Sequence, residues 1–177
     1  MKRKSHKDAP CPMARGIERI GDTWTMLILR DAFYGTTRFD EFQKRLGIAP
    51  NVLTRRLSKL IEEGLISRMQ YSAHPPRDDY VLTERGRDFR PVLLTLLAWG
   101  NRHYSDDGEA IRLVERQSGR PVRVALVDAD TGERITETDH YLAPGPAASP
   151  GLRARLECSA QAQPLKSTPF ASTADAL

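Results

Sequence analysis

Eight side chains in this sequence are of types, and at spacings, that could do chemistry, and seven of them suit a polyanion. Asn51, Thr54, Arg55, Arg56, Ser58 and Lys59 all lie in PNVLTRRLSKLIEE, residues 50–63. Amide, hydroxyl and guanidinium groups complement the donors and acceptors of DNA base edges, and cations complement phosphate. Asn51 and Arg55 are the candidates for bases, with Thr54 and Ser58 adjustable, and Arg56 and Lys59 are candidates for phosphate. Arg77, in the polar run SAHPPRDD, is the seventh. A cationic loop can enter a minor groove or lie along phosphate; the alternatives are a solvated turn arginine, or one paired with Asp78 or Asp79. The eighth is Cys11, directly before Pro12 and near Lys7. A thiol at a helix start sits in the positive end of the helix dipole, an environment that favours a reactive thiolate. The alternative is a small cysteine packed at an interface.

The elements that would position these groups can be read from the apolar spacing. In residues 50–63, Leu53, Leu57, Leu60 and Ile61 fall on one stripe of a helix. Pro50 suits its first turn and Gly64 a left-handed cap after its last. Phe42 and Leu46 mark a preceding helix for which Asp40 is a suitable N-cap. Gly47-Ile48-Ala49 is then a tight turn between two helices, a helix-turn-helix, although Ala49 is a poor N-cap. After Gly64 the period changes. Leu65–Tyr71 and Tyr80–Leu82 read as two strands around the SAHPPRDD loop, a hairpin wing directly behind the second helix.

Two further helices come first in the chain. One opens at Cys11-Pro12, with Met13, Ile17 and Ile20 on a face, and ends at Gly21. The next runs from Asp22 or Thr23 to Tyr34, with Trp24, Leu27, Ile28 and Phe33, and closes at Gly35. Thr37-Arg38-Phe39 suits a very short strand. Behind the wing, Thr83 caps a long helix that Pro91 kinks or divides. Beyond Pro91, Val92, Leu96, Trp99 and His103 form one stripe, and Leu93, Leu97 and Tyr104 an adjacent one. So wide an apolar surface predicts that one face packs on the domain and the other on a second subunit. The expected two-fold interface contains Ile17, Leu96, Trp99 and His103.

Composition narrows the class. The chain has 177 residues and a net charge of +4; residues 1–104 hold 19 of the 27 Lys and Arg and 12 of the 23 Asp and Glu, a net of +7, against −3 for the remainder. A basic front half suits a nucleic-acid partner. No apolar run approaches the roughly 20 residues that span a bilayer, so no membrane partner is expected. Two widely separated cysteines suit a reducing cytoplasm. The four histidines show no metal-ligand spacing, and no Walker loop, dinucleotide glycine pattern, GxSxG or HExxH occurs. The expectation is no enzyme, no metal and no cofactor.

Four segments follow. Residues 1–10 read as a mobile basic arm and residues 11–104 as the DNA-binding and dimerisation domain. Residues 105–145 read as a small β appendage, because Pro121–Val127 and Arg134–Glu137 flank the turn signal Asp130-Thr131-Gly132. Residues 146–177, rich in Ser, Ala, Pro and Gln, read as disordered. The fold class is mainly α with a small β-hairpin wing (α+β), a winged helix-turn-helix with a short C-terminal β appendage.

The chain resembles the HxlR-type winged helix-turn-helix transcriptional regulators from about Cys11 to Tyr104. The resemblance lies in Cys11-Pro12, the block IGDTWTMLILRDAFYGTTRFDEFQKRLGIAPNVLTRRLSKLIEEGLISR, Pro75-Pro76-Arg77, Leu82-Thr83-Glu84-Arg85-Gly86, and Pro91 through Trp99-Gly100. It implies a bacterial, homodimeric regulator that binds operator DNA, with repression as the expected direction of control. The effector would be a small molecule or an oxidant or electrophile, since several such proteins sense the latter with a cysteine at the place of Cys11. A winged helix used only for protein contacts is the alternative, as is a ligand-responsive regulator without a thiol switch. The β segment lacks the paired cysteines that some of these proteins carry, which argues against a zinc ribbon.

Overall fold

The computed structural model describes residues 5–74 and 76–160. In chain order it contains α1 (Pro12–Ile20), α2 (Thr23–Phe33), α3 (Phe39–Leu46), α4 (Pro50–Glu62), β1 (Ile66–Ala73), β2 (Pro76–Leu82), α5 (Glu84–Arg87), α6 (Arg90–His103) and α7 (Pro150–Ala160). One compact unit extends through Ala125 and a second begins at Leu126.

The first unit is built on leucine spacing. Leu53, Leu57 and Leu60 of α4 are at most 1% exposed and pack with Ile28 and Leu29 of α2, Phe42 of α3, Ile48, Leu65 and Ile66. Each such aliphatic contributes about 1.5–3 kcal/mol on leaving water. Gly47, at φ +62°, closes α3 and turns the chain so that Ile48 buries between α3 and α4. The helix-turn-helix is therefore clamped from inside.

Caps set the other boundaries. The Asp22 side chain accepts from Thr25 N at 3.1 Å and starts α2. Thr83 Oγ1 accepts from Gly86 N at 3.0 Å and donates to the Gly64 carbonyl at 2.6 Å, joining the start of α5 to the end of α4. A Cβ on Gly86 would stand 2.0 Å from the Leu65 carbonyl oxygen, so only glycine lets α5 approach the wing. Pro91 divides the long helix, α5 ending at Arg87 and α6 starting at Arg90.

Several boundaries depart from the sequence expectation. The N-cap of α3 is Arg38; Asp40 sits inside the first turn, where its charge faces the positive helix end. The strands reach almost to the hairpin tip, in the register Ile66↔Leu82 to Ala73↔Pro76, with an irregularity between Gln70 and Ser72. Arg77 is thus a strand residue, not a loop residue. The long polar stretch concealed this because both faces of the outer hairpin are wet, and apolar alternation fades there.

The predicted β appendage is replaced by two tight turns. One is closed by the bridge Val114↔Pro121, the other, in the second unit, by Val127↔Arg134. Glu115 locks the first, its carboxylate accepting from Ser118 Oγ and from the backbone N–H of Gln117 and Ser118, which holds its pKa below the ordinary glutamate value. The pairing does not extend into strands: Leu126, Val127 and Ile135 are 48–60% exposed, and a two-stranded ribbon with no covered face is marginal. Within the segment expected to be disordered, Pro150–Ala160 form α7, with Ser149 Oγ 3.4 Å from Leu152 N at its start. Ser149-Pro150 is a helix-start signal that the tail's composition outweighed. Residues 161–177 and 1–4 of the tail and arm lie outside the described residues.

Candidate nucleic-acid interface

Because α4 buries one stripe, the opposite stripe must face out. Asn51, Thr54, Arg55, Ser58 and Glu62 are all exposed. Arg55 and Asn51 make no hydrogen bond or ion pair with the described residues. Thr54 Oγ1 donates to the Pro50 carbonyl at 2.9 Å, a contact within its own helix that leaves its oxygen free to accept. An amide, two hydroxyls and a guanidinium within two turns can each pair with a base edge or a phosphate.

The structure sends the other two cations elsewhere. Arg56 Nε lies 3.2 Å from Asp22 Oδ1, a charge contact rather than an aligned hydrogen bond, with both side chains 23% exposed. Lys59 Nζ donates to the Glu18 carbonyl at 3.1 Å. Beside them Arg19 Nε meets Glu63 Oε2 at 2.9 Å. Arg56, Lys59 and Glu63 thus form a polar seam along one flank of α4, tying it to α1 and the start of α2. Apolar period shows which face of a helix is inside but not which flank meets another helix through polar groups, so both cations read as outward from sequence.

The wing supplies the third group. Asp78 accepts from Arg68, and this contact raises the arginine's pKa and keeps it charged. Asp79 accepts from Thr37 Oγ1 at 2.9 Å and lies 3.9 Å from Arg38 Nε. Both aspartates are therefore engaged without Arg77, which is exposed and pairs with no carboxylate among the described residues.

Arg38 is a group that the sequence reading passed over. Its guanidinium carbon lies 4.4 Å from the centre of the Tyr71 ring, and its backbone bridges to Asp79. It stands half-exposed where the start of α3 meets the wing. Its position behind the single turn Gly35-Thr36-Thr37 was the available signal. A cation stacked on tyrosine is pre-oriented at little entropic cost.

Cys11 is half-buried at the N-cap of α1, and its side chain makes no capping hydrogen bond. The expected interface residues Ile17, Leu96 and Trp99 are 57%, 44% and 51% exposed, so the apolar faces of α1 and α6 stand open in the single chain. His103 lies beside Trp99, with ring centres 5.6 Å apart. Among the described residues no three His, Cys, Asp or Glu side chains gather as a metal site requires, and no helix is long and apolar enough to cross a membrane.

The comparisons agree with this architecture. The family model for HxlR-like helix-turn-helix proteins matches residues 19–108. The uncharacterised HTH-type transcriptional regulator Rv3095 of Mycobacterium tuberculosis is 36% identical over 156 residues, covering 88% of this chain and 96% of that protein. A solved structure of PA1374 from Pseudomonas aeruginosa, described as a candidate transcription factor, is 52% identical at a TM-score of 0.60, covering 82% of this chain and all of that one. The reduced form of the redox regulator HypR is 31% identical at a TM-score of 0.50, covering 55% of this chain and 99% of its own. With a helix-turn-helix whose outward polar face stands open and a wing behind it, the chain belongs to the HxlR-like helix-turn-helix family of transcriptional regulators.

Proposed function

We propose that the protein is a homodimeric repressor that acts in the cytoplasm by occupying operator DNA. The observation that carries this is the outward face of α4, where Asn51, Arg55 and Ser58 stand exposed while every cation on its flank is already tied down. In a helix-turn-helix the second helix enters the major groove with its first turns over the base edges. Arg55 and Asn51 read bases, Thr54 and Ser58 adjust to them, and Arg77 from the wing meets the flanking backbone. Arg38, stacked beside it, extends the same track. The open apolar faces of α1 and α6 support the two-fold pairing, since exposed patches of this kind mark interaction surfaces.

Cys11 is the redox-sensing group of this reading. It is half-buried at the start of α1, the helix that carries Met13 and Ile17 toward the partner. The likeness to the redox regulator HypR supports it. The test is titration of the protein with its own promoter duplex and a scrambled duplex at two salt concentrations. Binding that weakens with salt yet keeps its preference supports the reading; equal affinity for both duplexes overturns it. Diamide treatment should shift operator affinity, and Cys11→Ser, but not Cys158→Ser, should abolish the shift.

A further inference from the structure

Between α2, α6 and residues 111–113 lies a cavity of about 420 Å³, a size typical of small-molecule sites. Its walls are Met26, Leu27, Phe33, Leu93, Leu97 and Leu113, and three arginines, Arg30, Arg90 and Arg112, stand on its lining. Two of the three charges are already met. Arg30 binds the buried carboxylate of Asp31, with Nε at 2.9 Å and an Nη at 2.8 Å from Oδ1. Arg112 Nε donates to Glu109 Oε2 at 2.8 Å. Arg90 is exposed and makes no hydrogen bond or ion pair among the described residues. An apolar chamber with one guanidinium on its lining that no carboxylate engages matches a ligand with an apolar body and a single negative charge.

We propose that this cavity is an effector site for an organic monoanion: a compact aromatic or alicyclic body among the leucines, with its carboxylate on Arg90. A neutral hydrocarbon would gain nothing from Arg90, and a cation would be repelled by it. A second copy of the chain is the weaker occupant. Arg90, Leu93 and Leu97 recur at helical spacing on one face of α6, whereas Val92, Trp99 and His103 occupy another. Leu96 touches both, lining the cavity and bordering the exposed face. A ligand held here sets the spacing between α2, which packs on α4, and α6, which carries the expected dimer face. It therefore changes the distance between the two reading helices of the dimer. That last step rests on the operator-binding reading; the ligand site itself does not.

The test is calorimetry on the full chain with three probes of one shape: 2-naphthoate, 2-naphthamide and 2-naphthylmethylammonium. Naphthoate should bind once per subunit, the amide about tenfold more weakly, and the ammonium weakest of all. Arg90→Gln should lower naphthoate to the affinity of the amide and leave the amide unchanged, and Arg90→Glu should move the preference to the ammonium. Equal binding of acid and amide, unchanged naphthoate affinity in Arg90→Gln, or no naphthoate binding overturns the site. Promoter binding is then measured with and without saturating naphthoate. A change of about fivefold or more that Arg90→Gln abolishes supports the effector role, and no change removes it. A protein that binds naphthoate but shows no preference for its promoter would instead overturn the operator reading alone.

Discussion

Arg55 and Lys59 are one helical turn apart on α4, both cationic, and the structure gives them different work. Arg55 is exposed and unpaired, so Arg55→Ala opens no cavity and should leave the melting temperature unchanged. It should remove most of the preference for operator over random DNA, about 1–3 kcal/mol for each arginine–guanine contact, and a two-fold dimer makes the contact twice. Binding to operator and scrambled duplexes checks this; an equal loss on both would make Arg55 a phosphate contact and Asn51 the better reader. Arg77→Ala should weaken both duplexes alike and flatten the salt dependence by about one unit per subunit. Lys59→Ala should flatten the salt dependence less than Arg77→Ala, because its ammonium is held at the Glu18 carbonyl, off the outward stripe of α4. Its cost should appear as stability instead, about 1 kcal/mol in urea unfolding.

Among the elements, Asp22 holds two places at once. It caps α2 through Thr25 and meets Arg56 of α4. Asp22→Ala should destabilise the chain by about 1–2 kcal/mol in chemical denaturation, and Asp22→Asn should recover most of that, since the amide oxygen still caps. Much of this scaffold was legible from the residues. The leucine spacing of α4, the Thr83 cap, the glycine turn and the break at Pro91 all stand where propensity and period place them, because each is a local signal. The misses share a cause. From spacing alone Arg56 and Lys59 face outward, the hairpin ends short and Arg38 carries no role, because each depends on a polar contact between segments distant in sequence. The C-terminal misreadings came from composition outweighing a helix-start signal at Ser149-Pro150, and from a turn signal with no covered face to propagate it.

At the level of the whole molecule, the open stripes of α1 and α6 are the proposed dimer seam. Trp99 is 51% exposed and packs edge-on against Tyr104, with ring centres 5.0 Å apart. Trp99→Asp puts a charge on the expected seam without disturbing the buried core around Leu53 and Leu57. Light scattering at micromolar concentration should then give the mass of a single chain, where the native protein gives two. Operator affinity should fall by about tenfold or more, because the two half-sites are no longer engaged together. A native protein of single-chain mass would sink the dimer.

The five outward positions of α4 are exposed and make no hydrogen bond or ion pair beyond their own helix among the described residues, while its flank is pinned by Arg56, Lys59 and Glu63. Substitutions at Asn51, Arg55 or Ser58 therefore lie in the class that changes folding by only about 0.5 kcal/mol. A duplicated copy of this gene could drift at those sites and acquire a new operator while its fold stays under no strain. The seam does not share that freedom: a change at Asp22 touches the cap of α2 and the carboxylate beside Arg56 together. On the proposed reading, the address on the DNA is rewritable one letter at a time, and the helix that carries it is not.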